Sequence, residues 1–110
     1  MSEDSDSFVA HADRVLAMAR RLAASGIAVY KYEHLTLTFG SWLVVAGTRH
    51  RRMQFTWDGR EILLVVSQAS SGDSRQPLTW HHVRSLNLRD SEAVSEMERL
   101  LRVAFQCQGT

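Results

Sequence analysis

The sequence has a single cysteine, Cys107, and no long apolar run. One cysteine cannot form an intrachain disulfide, so the chain does not belong to the disulfide-rich secreted scaffolds, and a reducing compartment is expected. No apolar stretch approaches the roughly 20 residues that a membrane-spanning helix needs. The first seven residues are acidic, whereas a signal peptide begins basic and then becomes apolar. These features predict a soluble, cytoplasmic protein.

Motifs for catalysis, cofactors and metals are also lacking. Ser70-Ser71-Gly72 matches neither a phosphate-binding loop nor a nucleophile elbow. His81 and His82 are adjacent, so a strand would direct them to opposite faces, and no cysteine or carboxylate lies at a ligand spacing. Cys107 has no neighbouring signal for activation. We therefore expect no enzyme, no cofactor and no metal; an enzymatic alternative requires a pocket lined by His34, His81 or His82 and a carboxylate.

What the sequence does contain is typical of one globular domain. Of its 110 residues, 45% are hydrophobic and 23% are charged, which excludes intrinsic disorder. The charge is unevenly distributed. Residues 1–7 carry three acids and no base, and residues 31–89 carry eight bases against four acids. The composition predicts an acidic disordered tail over 1–7 and a domain over 8–106.

Two segments have the three-and-four spacing of apolar residues that indicates an amphipathic helix. The first runs over 8–25 and ends at Gly26, and the second runs over 91–106 after Asp90. Between them the period changes to 2, which predicts strands over about 27–39, 42–47, 51–57 and 60–68. Gly40-Ser41 and Asp58-Gly59 have the composition of two-residue hairpin turns.

Two-residue turns would determine which residues face each other. They set Leu37 opposite Val44 and Phe39 opposite Trp42 in the first hairpin. In the second hairpin they set Phe55 opposite Ile62. Residues 69–77 are predicted as a surface loop, and a fifth strand is possible within 78–88. The fold class is α+β: a two-layer sandwich of a four- or five-stranded antiparallel sheet with both helices on one face.

The outer face of this sheet is the main candidate for function. The second and fourth strands are apolar on both faces, so aliphatic side chains would point away from the helices, where the chain itself or a partner could cover them. We predict a non-enzymatic protein-interaction module, self-associating or binding another protein, through Leu43, Val45, Arg52, Gln54, Leu63 and Val65.

The basic segment between the second and third strands supports an alternative function. Arg49, Arg51 and Arg52 could contact phosphate groups or nucleic acid, since guanidinium groups bind phosphate oxygens in pairs. However, Phe55 and Trp57 are assigned to the core, so the aromatic platform expected for single-stranded nucleic acid is missing. A solvated loop is the simpler interpretation.

Overall fold

The structure is a computed structural model that describes residues 3–35, 37–70 and 79–106. Cys107, Ser71, Gly72 and most of the predicted 69–77 loop lie outside these residues. The elements, in chain order, are α1 (Glu3–Ala23), β1 (Ala28–Leu35), β2 (Ser41–Gly47), β3 (Arg51–Asp58), β4 (Leu63–Ser70), β5 (His81–Asn87) and α2 (Asp90–Gln106). None of the helices in the described ranges is long and apolar enough to cross a membrane.

The five strands form one antiparallel sheet in the order β1-β2-β3-β4-β5, each paired with its neighbour in sequence. The predicted α+β sandwich is therefore confirmed in its five-stranded form. Residues 81–87, within the uncertain segment 78–88, form the fifth strand, which makes β1 and β5 the two edges of the sheet.

The core lies between the two helices and one face of the sheet. Alternate residues of β2, β3 and β4 supply the sheet side, and stripes at three-and-four spacing supply the helix side. The buried members include Val15, Met18, Leu22, Ala93, Met97, Leu101, Trp42, Val44, Phe55, Trp57, Leu64 and Val66. Because strand side chains alternate between faces, the residues between these sheet positions lie on the other face.

The first helix begins earlier than the sequence predicted. Residues 3–7 were expected in a disordered tail, but α1 starts at Glu3 and ends at Ala23. Acidic residues in a first helical turn interact favourably with the helix dipole, so an acidic composition does not by itself end a helix. At the other end Gly26 has φ 80°, and Ile27 N donates to Leu22 O over 3.0 Å to close the helix.

The first hairpin differs from its predicted register. β1 ends at Leu35, which pairs with Ser41, and Tyr32 and His34 lie opposite Val44 and Trp42. The predicted partners of Val44 and Trp42, Leu37 and Phe39, are instead 98% and 66% exposed in the loop. The prediction was wrong because aromatic and histidine side chains occupy the helix-facing positions of β1, where they pack against α1.

The second hairpin has a four-residue loop rather than a two-residue turn. Asp58 pairs with Leu63, and Asp58 Oδ1 accepts hydrogen bonds from Arg60 N (2.9 Å) and Glu61 N (3.3 Å). The aspartate therefore organises the loop amides instead of occupying a tight turn. Ile62 leaves its predicted place opposite Phe55, which pairs with Val66. The pairing of β4 with β3 is shifted by four residues from the predicted register. Because side chains alternate between the two faces and four is even, every residue of these two strands keeps its predicted face.

Candidate functional site

The sheet surface opposite the helices, here called the open face, carries all six residues predicted to bind a partner. No helix or strand among the described residues packs on it. Its members are Lys31, Glu33 and Leu35 of β1, Leu43 and Val45 of β2, Arg52, Gln54 and Thr56 of β3, Leu63, Val65, Ser67 and Ala69 of β4, and Ser85 and Asn87 of β5. Whether they contact a partner stays a prediction.

Polar side chains of β3 divide the aliphatic residues of the open face. Thr56 lies between Leu43 and Val65 in register, and Gln54 pairs with Val45. Leu43 and Val65 are half-buried and Val45 is buried. The centre of the face is therefore less exposed than strand alternation alone indicated, because its members shield one another.

Two cationic side chains on the open face have neighbours within the molecule. Lys31 Nζ lies 3.3 Å from Glu33 Oε1. The Arg52 guanidinium lies 4.1 Å from the centroid of the Tyr30 ring, a cation–π contact. Arg52 Nε is buried and has no hydrogen-bond partner in the described part of the chain. The face consequently offers aliphatic and amide groups more than unpaired charge.

Leu37 and Phe39, the two most exposed large apolar side chains of the described residues, lie at one end of the sheet beside the loop 59–62. Residues 37–40 and 59–62 are here called the loop end. Gly59 N donates to Ser41 Oγ over 2.9 Å. A Cβ on Gly59 would lie 1.9 Å from the Phe39 carbonyl oxygen, so the two loops are in close contact. Leu37, Phe39 and Ile62 are exposed here, and Leu35 is exposed where β1 ends.

The backbone of the loop end is strained at two bulky residues. Phe39 has φ 55° and Ile62 has φ 53°. This left-handed conformation costs an L-residue roughly 1–2 kcal/mol, and a β-branched residue such as isoleucine is a clear outlier there. Strain of this kind is concentrated at functional positions. The strain therefore indicates that a property other than stability accounts for the bulky residues at positions 39 and 62.

Two of the three arginines of the predicted basic segment lie on opposite faces of the sheet. Arg51 points to the helix side, where it donates to Ala104 O (3.2 Å) and Gln68 Oε1 (3.1 Å) and lies over the Phe105 ring. Arg52 points to the open face, and Arg49 is exposed in the turn between β2 and β3. Whether the basic segment binds phosphate or nucleic acid stays a prediction.

The two adjacent histidines lie exposed on the edge strand β5, and His82 Nε2 is 2.8 Å from Ser85 Oγ. His34 lies on β1, at the opposite edge of the sheet, so it cannot share a site with them. Within the described ranges, no group of three or more histidine, cysteine, aspartate or glutamate residues could hold a metal ion.

A buried polar cluster, which the sequence did not reveal, joins α1, β1, β2 and α2. The His11 side chain is 1% exposed, with Nδ1 2.6 Å from Tyr32 Oη and Nε2 3.5 Å from Asp90 Oδ1. Trp42 Nε1 donates to Asp90 Oδ1 over 2.8 Å, and the His34 ring lies 5.0 Å from that of His11. If Nδ1 accepts from the tyrosine hydroxyl, the neutral ring carries its proton on Nε2, which faces Asp90 but has no hydrogen-bond partner among the described residues.

Burial controls the titration of this cluster. Desolvation lowers the pKa of His11 from 6.5 to about 4, although Asp90 opposes the shift. Burial also lowers the pKa of His34, and it raises the pKa of Tyr32 to about 12. Each group is thus held in its neutral form near pH 7. These three uncharged side chains lie beside one carboxylate, that of Asp90, and because the cluster spans four elements it is suited to fixing their relative positions. The sequence contained one indication of the buried histidine: His11, Val15, Met18 and Leu22 follow one another at the three-and-four spacing of a single helix face.

Both edges of the sheet carry features that discourage strand addition. On β1 the pairing is irregular between Val29 and Lys31, and Lys31 and Glu33 are charged. On β5 the pairing is irregular opposite Val66 and Ser67, and Arg84 is exposed. Bulges and charges are common means of blunting an edge. The faces of the molecule are therefore better candidates for contact than its edges.

Comparison of the chain with models of known protein families, with curated proteins and with solved structures finds no match in any of the three.

Proposed function

We propose that the chain is a non-enzymatic, cytoplasmic protein-interaction module that binds another protein through the open face and the loop end. The observation that carries the proposal is the exposed apolar cluster of Leu37, Phe39 and Ile62 at the border of an aliphatic sheet face. Exposed apolar groups on a strained backbone are costly to the isolated chain, and burial against a partner offsets that cost.

The two surfaces are continuous. Leu35 is diagonal to Leu43 across β1 and β2, and Leu63 directly follows Ile62 at the start of β4. Adjacent strands lie about 4.8 Å apart, so Leu43 and Val65, which are in register two strands apart, are about 10 Å from each other. An apolar band thus extends from the loop end to the middle of the open face.

The chemistry of this band favours a protein as the ligand. Leu43, Leu63 and Ile62 offer apolar contact, and Gln54 and Thr56 between the aliphatic strands can exchange hydrogen bonds with a polypeptide. This combination of apolar centre and polar groups is typical of protein interfaces. A phosphate ligand is disfavoured, because Arg51 and Arg52 point to opposite faces.

Leu63→Glu tests the proposal, with Val103→Glu as the matched control. Both replace an aliphatic residue with glutamate, but Val103 is exposed on α2, away from the open face. Purified, folded variants are compared with the wild type as bait for cellular proteins. A partner retained by the wild type and by Val103→Glu is expected to be lost by Leu63→Glu. Retention by all three would contradict the proposal, as would a partner that only Val103→Glu loses.

Light scattering on the same samples identifies the partner class. If Leu63→Glu converts a wild-type dimer to a monomer, the open face binds a second copy of the chain. That result would contradict the assignment to another protein.

A further inference from the structure

Helix α1 has a second apolar stripe outside the core. Val9, Ala12, Leu16, Ala19 and Ala23 follow one another at spacings of three, four, three and four residues, which is the pattern of a helix–helix seam. Val9 is 54% and Leu16 is 50% exposed. We call this stripe the α1 flank.

The other sides of α1 already have partners. Val15, Met18 and Leu22 are buried in the core. Arg14 and Arg21 reach α2, where they pair with Asp90 (3.4 Å) and Glu98 (2.7 Å). At 100° per residue the flank lies on the side of α1 away from α2, and no described helix or strand packs against it.

Two charges of opposite sign border the flank. Asp13 and Arg20 are seven residues apart, which places them on the same side of the helix, next to the stripe. Both are exposed, and no ion pair joins either of them to another residue in the described part of the chain. The midpoint between them falls at Leu16-Ala17, the centre of the flank.

We propose that the α1 flank binds a second copy of this chain, with the two α1 helices packed antiparallel about a two-fold axis near Leu16. This axis sets the Asp13 of each copy level with Arg20 of the other copy, since each lies about 5 Å along the helix from the axis. It therefore forms two equivalent ion pairs, one on each side of Leu16.

A second copy fits this surface because a two-fold contact must be self-complementary. The charge pattern is self-complementary only in the antiparallel arrangement, since parallel packing in register would set Asp13 level with Asp13 and would form no Asp–Arg pair. Ala12 and Ala19 on either side of Leu16 let the backbones approach closely. The flank shares no residue with the open face, so a dimer of this kind leaves both open faces available to another protein.

A charge-exchange series tests the interface by sedimentation equilibrium on the full chain. Asp13→Arg alone and Arg20→Asp alone each create like-charge pairs across the axis, and each is expected to weaken dimerisation about tenfold. The double variant Asp13→Arg/Arg20→Asp restores opposite charges and is expected to recover the wild-type constant. Both residues are exposed, so the variants should fold, which circular dichroism checks.

Leu16→Glu and Leu63→Glu complete the test. Leu16→Glu is expected to abolish the dimer, and Leu63→Glu is expected to leave it intact. A wild-type chain that stays monomeric at the highest attainable concentration overturns the proposal. So does a dimer that survives Leu16→Glu, or a double charge variant that binds no better than the single ones. These outcomes are independent of whether Leu63→Glu loses a protein partner.

Discussion

At the scale of single residues, His11 connects the helices to the sheet. Its ring contacts Tyr32 on β1, Trp42 on β2 and Asp90 at the start of α2, and it is almost completely buried. A buried imidazole is stable only while it stays neutral or is fully compensated, and Asp90 at 3.5 Å compensates it in part. The packing of the two layers is therefore coupled to the protonation state of one side chain.

This coupling predicts a loss of stability on mild acidification. The pKa of His11 is about 4 in the folded chain and near 6.5 in the unfolded chain, so the unfolded chain binds more protons between these values. The free energy of unfolding should then fall as pH decreases from about 6.5 to about 4, by roughly 3 kcal/mol in all. Urea unfolding at pH 7, 6 and 5 measures it, in a range where most carboxylates remain ionised.

His11→Gln is the variant that isolates this effect. Glutamine can accept from Tyr32 but does not titrate, so the variant should be less stable at pH 7 and should have a flatter pH dependence. His34 has a lowered pKa and contributes a smaller slope of the same sign. If His11→Gln keeps the full slope of the wild type, His11 is not the titrating group.

The sequence could not identify the role of His11, although it contained the spacing. Histidine is polar, so His11 was not counted among the apolar residues of the first helix. Its partners are 21, 31 and 79 residues away in the chain. Only the packing of α1 on the sheet brings them together. Arg51 is a similar case, because its bonding to α2 follows from the placement of a helix that ends more than 50 residues later.

At the scale of elements, the two loops of the loop end pack against each other, and each restricts the conformation of the other. The Gly59 backbone lies so close to Phe39 that only a glycine fits there. Phe39 and Ile62 adopt left-handed conformations that glycine or asparagine would adopt at less cost. A bulky apolar residue at these positions is unfavourable for stability and favourable for contact.

Ile62→Gly should consequently stabilise the isolated chain while weakening partner binding. Relief of the left-handed strain is expected to raise the free energy of unfolding by about 1 kcal/mol, despite the greater chain entropy of glycine. Val83→Gly is the control, because Val83 is an exposed strand residue without a positive φ, and this change should destabilise. Denaturant unfolding measures both variants. A clear loss of stability in Ile62→Gly would mean that the isoleucine serves the fold.

The hairpins show which part of an element could be predicted. The alternation of apolar and polar residues correctly assigned the faces of β2, β3 and β4. The pairing of β3 with β4 differs from the predicted register by an even number of residues, which leaves the faces unchanged. The turn lengths were wrong, because Asp58 binds loop amides and Gly40 belongs to a longer loop with left-handed Phe39. The residues of one turn could not predict the close contact of Gly59 with Phe39, because this contact depends on both loops.

At the scale of the whole molecule, two helices cover one face of a five-stranded sheet, and the opposite face has no element on it among the described residues. The sequence predicted this division from period and hydrophobicity alone. It did not predict the loop end, since Leu37, Phe39 and Ile62 were all assigned to strands, opposite Val44, Trp42 and Phe55. The expected contact surface has therefore moved from the centre of the open face toward one end of it.

The most direct measurement is site-specific photo-crosslinking from the open face. A photoreactive amino acid replaces Leu43 in one sample and Val103 in another, and each chain is irradiated with cellular proteins. The proposed function predicts a discrete adduct with one protein from position 43, no such adduct from position 103, and loss of the adduct when Leu63→Glu is added. Equal labelling from both positions, or an adduct that persists with Leu63→Glu, would contradict the open face as the binding surface.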